Sequence, residues 1–437
     1  MAVPTLPVDD LARESTPVTG RRKIYPWVVF ALAFGLLLSD YMSRQVLNAV
    51  FPLLKSEWAL SDSQLASLSS VVALMVGLLT FPLSLVADRW GRVKSLVLMA
   101  IIWSVATLLC AVAVNYGQML GARFLVGVGE AAYGSVGIAV VLSVFRPHLR
   151  ASLSGAFMAG GSFGSVLGVA LGGVIGVQFG WRAAFVFMAV FGLVLAVLFG
   201  VVVRQRKLDD YQVADPAGAT VAGYRAPLSS LFKIASINLA YVGSALNLFV
   251  AGVLLSWLPS FLNRYYGMKP DRAGAVAAIF VLLIGAGMVG CGIVTDRLSK
   301  ETQVRKWTTA ITYGLIAMVA LGAGFALDPG PAQLVLIGIG AFFSAGASGP
   351  VTAMVANLTH PSIRATGFGS LTLVNSLLGL ALGPFLVGVV ADRIGLLGAL
   401  RIVPVVYVGA IAALLIGKRC YPTALRRLAE LTRREPA

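Results

Sequence analysis

Apolar residues fall in long runs separated by short polar stretches, from residue 26 to residue 417. Each run is long enough to cross a hydrocarbon core of about 30 Å, which takes roughly 20 residues. Backbone groups in lipid must be satisfied within the segment, so the runs predict helices. Reading the runs between turn signals predicts twelve spans, near 26–54, 63–87, 95–115, 118–144, 151–179, 182–203, 234–263, 272–295, 306–327, 332–358, 364–391 and 398–417. The longest polar interruption is "RQRKLDDYQVADPAGATVAGYRAPLSSLF", 204–232. The chain therefore divides into a polar, disordered cytoplasmic tail (1–23), a six-helix bundle (24–203), a cytoplasmic linker (204–232), a second six-helix bundle (233–418) and a cytoplasmic tail (419–437). The fold class is an all-α polytopic membrane protein, two pseudo-symmetric bundles of six.

Composition agrees with the pattern. Charged residues are 12% of the chain, about half of the ~25% usual in soluble domains, and mean hydropathy is +0.88. The first twenty residues carry Asp9, Asp10 and Glu14 and no apolar core, unlike a secretory signal. Cys110, Cys291 and Cys420 are far apart, and His148 and His360 lie at predicted loop ends, so neither a disulfide framework nor a metal site is expected. The net charge of +16 is a matter of topology. Of 34 Lys and Arg residues, 25 fall on the side of the termini, 7 on the other, and Arg44 and Arg123 inside spans. That bias puts both termini in the cytoplasm, with anionic lipid as the electrostatic partner and no nucleic acid.

The halves repeat. "SLVADRWGRVK" (84–94) after the second span is echoed by "GIVTDRLSK" (292–300) after the eighth, the Asp-Arg pair recurring 208 residues later. "RPHLRASLSG" (146–155) is echoed by "HPSIRATGFG" (360–369), with Arg-Ala recurring 214 residues later. Duplicated bundles with polar groups near the midplane are the logic of alternating access. No Walker loop is present, so no cofactor is expected and transport would be driven by an ion gradient, with protons the expected ion. Nor is there a recognisable nucleophile and base, so an enzyme is not expected.

Candidate chemistry sits in the first half. Of eighteen acidic residues only Asp40 and Glu130 lie deep in spans, where an unpaired charge costs several kcal/mol. Asp40 and Arg44 are spaced i, i+4, which allows a static pair fastening the first span. The functional alternative is proton coupling: dehydration disfavours a carboxylate's charge, a nearby arginine favours it, and alternate hydration changes the balance. Arg44 is the candidate anion receiver, because a guanidinium can bind carboxylate or phosphate through two bonds. Protonation of Asp40 would free it. Arg123 shares a face with Glu130 and could stabilise it, orient the fourth span, or snorkel to the interface. Tyr41, Tyr133, Asn247, Trp257 and Asn375 are candidate cavity-lining groups, each equally readable as packing. The glycine-rich "AGGSFGSVLGVALGGVIG" (159–176) reads as a close-packing face.

Asp88, Arg89, Gly91, Arg92 and Lys94, followed by "RFLVGVGEA" (123–131), resemble the major facilitator superfamily over residues 21–420. Ser84 stands where that family's motif begins with glycine, while the second copy keeps Gly292, Asp296 and Arg297. The resemblance implies that Asp88, Arg89, Gly91, Arg92, Asp296 and Arg297 form a cytoplasmic gate, Asp88 facing the start of the eleventh span. "GVGEAAYG" (127–134), "WLPSFLNRYYGM" (257–268) and "NSLLGLALGPFLVGVVAD" (375–392) look like the spinster-like branch; proton-linked organic-anion symporters share the features of spans 1 and 4. Both groups carry Asn-Tyr-x-Asp-Arg in span 1. Here the stretch reads Asp40-Tyr41-Met42-Ser43-Arg44, with serine at the aspartate's place. The expectation is a monomeric, proton-coupled carrier of a small organic anion in the inner membrane. The alternatives are a carrier of lysolipid or another amphiphile, and a non-transporting receptor or sensor.

Overall fold

A computed structural model describes residues 20–145, 149–205, 234–360 and 363–433. The first bundle contains α1 (Gly20–Trp58), α2 (Asp62–Trp90), α3 (Arg92–Val112), α4 (Tyr116–Glu130), α5 (Tyr133–Val144), α6 (Arg150–Phe179) and α7 (Trp181–Val202). The second contains α8 (Ala235–Tyr266), α9 (Pro270–Leu298), α10 (Arg305–Ala326), α11 (Pro331–Ser344), α12 (Ser348–Leu358), α13 (Arg364–Val374), a π-helical turn (Asn375–Ala381), α14 (Leu382–Ile402) and α15 (Val406–Arg433). Eleven helical stretches are long and apolar enough to cross a membrane; the last, Thr366–Leu428, holds two spans joined where Gly395 leaves helical geometry (φ 77°, ψ 159°). Twelve spans result among the described residues. The outward faces are apolar, as on α7, where Val190, Val194, Val197 and Val201 are all exposed.

Local sequence explains the boundaries. Ser61 caps α2 by accepting from the Gln64 N–H, and the Gln64 side chain accepts from the Ser61 N–H, a reciprocal capping box. Asn115 caps α4 in the same sense. The α6–α7 turn needs Gly180, whose φ of 85° lies where a side chain would be strained.

Three spans expected as continuous helices are interrupted. The fourth breaks after Glu130, where Thr80 Oγ1 donates to the freed Ala131 carbonyl at 2.6 Å. The tenth breaks at residues 345–347, one 214-residue offset from the first break, so the interruption belongs to the repeat. The eleventh winds through the π turn at Asn375–Ala381. The last helix runs on to Arg433, beyond the predicted end of the twelfth span at 417.

The bundles pack through small residues. Gly168 of α6 leaves its Cβ space to the backbone of Met42, 2.8 Å away, and Gly164 does the same against the Leu38 carbonyl. Across the bundles, Gly173 meets the Pro270 carbonyl at 2.7 Å and Gly274 the Val169 carbonyl at 2.8 Å, joining α6 to α9. A buried cluster including Phe51, Trp181, Trp257, Phe261 and Phe325 runs through both bundles.

Candidate functional site: a charged centre in the first bundle

Helical spacing places Asp40, Tyr41 and Arg44 within one turn of α1. The tertiary fold adds Glu130, the last residue of α4. Arg44 Nε donates to Glu130 Oε2 at 2.7 Å and lies 3.3 Å from Asp40 Oδ1. Its guanidinium carbon sits 5.1 Å from the centre of the Tyr41 ring. Asp40 and Glu130 are each only 2% exposed, whereas the Arg44 side chain keeps 20% exposure. Asp40 Oδ1 and Glu130 Oε1 are each buried without a hydrogen-bond donor.

A cavity of about 130 Å³ opens beside this centre, between the bundles. Tyr41, Arg44, Gln45, Asn48, Ser69 and Arg123 line its first-bundle side; Gly252, Leu255, Ser256, Leu380 and Pro384 line the other. Asn48 anchors a polar chain, donating to Gln45 Oε1 at 2.6 Å and accepting from Ser69 Oγ at 2.7 Å. Gln45, Asn48 and Ser69 did not stand out in the sequence. The signal for Gln45 and Asn48 was a polar pair at i, i+3 along α1, Asn48 lying one turn from Arg44; Ser69, on α2, had none.

The remaining candidates are placed as follows. Arg123 is buried, not at the interface, and donates to the carbonyls of Leu68 (3.2 Å), Ser43 (3.0 Å) and Arg44 (3.4 Å). It makes no ion pair with Glu130 among the described residues; it ties α4 to α1 and α2. Tyr133 donates to the Ala33 carbonyl at 2.8 Å and packs edge-on against Trp103. Trp257 donates to the Pro384 carbonyl at 3.1 Å beside Phe51. Asn247 donates to the Gly243 carbonyl at 2.7 Å inside the second bundle, and Asn375 opens the π turn. None of these four lines the cavity beside Arg44.

Of the expected gate, the Asp88 side chain lies outside the described residues. Gly91 joins α2 to α3 at φ 101°, Arg89 is exposed, and Asp296 and Arg297 are exposed at the end of α9. Arg92 follows Gly91 at the start of α3.

At the face opposite the termini, the bundles are latched by residues at the ends of spans. Asp62 accepts from Arg264 through both oxygens (2.6 and 2.8 Å) and from Lys55 at 2.5 Å. Asp392 of α14 accepts from the Asp62 N–H (2.6 Å) and the Ser63 N–H (3.0 Å), placing a carboxylate on the N-terminus of α2. A helix N-terminus favours negative charge. Among the described residues no cluster of three His, Cys, Asp or Glu side chains could hold a metal ion.

Similar proteins agree with this architecture. The probable L-galactonate transporter of Escherichia coli (strain K12) is 28% identical over 304 residues, 68% of this chain and 66% of that protein. The hexuronate transporter of Bacillus subtilis (strain 168) is 24% identical over 385 residues, 85% of this chain and 88% of that one. Among solved structures, a bacterial homolog to the human lysosomal transporter Spinster, inward-facing and unoccupied, superposes with a TM-score of 0.82 at 21% identity, covering 92% of this chain and 98% of that chain. Residues 32–384 match the Major Facilitator Superfamily. The chain is an integral membrane transporter, not an enzyme, and it belongs to the Major Facilitator Superfamily.

Proposed function

We propose that this transporter moves a small organic carboxylate together with protons across the cell inner membrane, both termini lying in the cytoplasm. One observation carries the reading: Arg44, partly exposed in a cavity between the bundles, makes its closest contacts with Asp40 and Glu130 at Nε, and no hydrogen bond from its Nη atoms occurs among the described residues. The Nη edge is left for a second anion, the bidentate geometry a carboxylate fits. Sugar acids are what the two named relatives are said to carry, and each is a carboxylate. The polar chain of Gln45, Asn48 and Ser69 beside Arg44 suits a hydrophilic anion better than an acyl chain. An apolar cleft of about 520 Å³ does run between α9 and α11, but it shares no residue with the Arg44 cavity, so the amphiphile reading lacks a connected path.

Coupling follows from charge. Asp40, Glu130 and Arg44 sum to −1 with both acids ionised and to zero with one proton. Two carboxylates that share one guanidinium leave one negative charge uncompensated, which one proton removes. Protonation loosens the acids' hold on Arg44 and readies it for the substrate anion. Loss of the proton restores the competition and favours release.

Binding to the purified protein tests the anion site. Galactonate and glucuronate are expected to raise its thermal unfolding temperature, with glucose inert and the effect lost in Arg44→Gln. Equal stabilisation by glucose, or by the anions in Arg44→Gln, would remove Arg44 as the receiver.

A further inference from the structure

In the cavity beside Arg44, a single amide fixes the hydrogen-bond directions of its neighbours. Asn48 of α1 reaches the other bundle: its Nδ2 lies 3.4 Å from the Leu255 carbonyl of α8 and 2.6 Å from Gln45 Oε1. Its Oδ1 lies 2.7 Å from Ser69 Oγ of α2. A backbone carbonyl can only accept, so the nitrogen of Asn48 is the atom that faces Leu255. That nitrogen also faces Gln45, which must answer with its oxygen. The oxygen of Asn48 then faces Ser69, whose hydroxyl must point its only proton there.

The groups left over have a defined polarity. The Gln45 amide keeps an NH2 that donates to nothing among the described residues. The Ser69 oxygen keeps a lone pair and has no second proton to give. Both side chains line the cavity of about 130 Å³, and Gln45 follows Arg44 in the chain. The wall beside the guanidinium therefore offers one donor and one acceptor, both set by the same Asn48 amide. A ligand group that serves both must accept and donate. An oxo group only accepts and an ammonium only donates, whereas a hydroxyl does both.

We propose that this wall reads a hydroxyl next to the substrate's carboxylate. Gln45 Nε2 donates to that hydroxyl, the hydroxyl donates to Ser69 Oγ, and the carboxylate sits on the Nη edge of Arg44. Gln45 and Ser69 are specificity-determining residues, and Asn48, held by the second bundle through Leu255, is the positioning residue that sets their polarity. The substrate class is a 2-hydroxy carboxylate, preferred over the 2-oxo, 2-amino and 2-deoxy acids of the same length. The assignment rests on the reading of Arg44 as the anion receiver.

Titration calorimetry of the purified transporter with galactonate and with 2-deoxygalactonate, which lacks only that hydroxyl, tests the assignment. The wild type should bind galactonate about tenfold more tightly, the loss expected when a hydroxyl with two neutral hydrogen-bond partners is removed. Gln45→Met, close to glutamine in size but without the amide, should weaken galactonate to near the deoxy acid and leave the deoxy acid as in the wild type. Ser69→Ala should do the same. The ratio of the two affinities is the readout, because a variant that merely loosens the fold weakens both acids alike. Equal affinities in the wild type, or a preference kept in either variant, overturns the hydroxyl site; if both acids are then lost in Arg44→Gln, the anion receiver stands without it. Undiminished binding of both acids in Arg44→Gln, or no binding of either to the wild type, overturns the receiver and the hydroxyl site together.

Discussion

Arg44 is held by two acids that approach it from different parts of the chain. Asp40 comes from its own helix, one turn away; Glu130 comes from 86 residues on and makes the shorter contact. Replacing Arg44 with lysine keeps the charge and removes the planar fork. A charge-assisted hydrogen bond contributes about 1.5–3 kcal/mol, so Arg44→Lys should weaken carboxylate binding by roughly 10- to 100-fold. Titration calorimetry with the sugar acid that stabilises the protein most checks it; an unchanged affinity would mean that the site needs only a cation. The Asp40–Arg44 pair was legible in the sequence because helical periodicity fixes which neighbours face each other. The Arg44–Glu130 pair was not, since no local rule joins residues so far apart. Arg123 shows the same limit. Its seven-residue spacing from Glu130 did predict a shared face, but the tertiary fold offered its guanidinium three carbonyls instead. Ser43, where the family carries aspartate, contributes its carbonyl to that clamp.

At the scale of helices, small residues decide how closely spans approach, and breaks decide where polar groups are presented. Gly287 of α9 is a severe case: a Cβ there would overlap the Phe342 carbonyl of α11. Overpacking of this kind costs about 1–3 kcal/mol, so Gly287→Ala should lower the unfolding temperature by a clear margin in a thermal melt. Gly121, with nothing within 4 Å of its added Cβ, is the matched control, and an equal melt for Gly287→Ala and Gly121→Ala would refute the close approach. Span positions could be read from apolar runs, because length and hydropathy are local properties. The interruptions at residues 131–132 and 345–347 could not, since nothing in "GEAAYG" or "FSAGASG" separates a helix from a helix with one displaced turn. Only the fold supplies what repairs the break, as Thr80 does for the Ala131 carbonyl.

Across the whole molecule, the two bundles close on one face through Asp62, Lys55, Arg264 and Asp392. Lys55, Arg264 and Asp392 come from three different helices, α1, α8 and α14, so their convergence needed the bundles assembled. A carboxylate at a helix N-terminus contributes about 0.3–1 kcal/mol, up to ~2 when partly buried. Asp392→Asn should therefore shift the population towards opening on that face. Ser69 lines the cavity, so a Ser69→Cys reporter in a Cys420→Ser background should react faster with a membrane-impermeant maleimide applied to intact cells when Asp392→Asn is added. An unchanged rate would mean that Asp392 does not hold the face shut. On the proposed function, this closed face is one end of the cycle, and a proton would decide whether Arg44 is occupied by its own acids or by a carboxylate.

The coupling of that proton to transport is the central claim, and it separates two modes of the same carrier. In proteoliposomes, the wild type should accumulate a sugar acid when an inward proton gradient is imposed and should also exchange labelled for unlabelled substrate without one. Asp40→Asn and Glu130→Gln should lose the gradient-driven accumulation and retain the exchange. Accumulation by the wild type that does not respond to the gradient, or accumulation by both variants equal to wild type, would contradict the account.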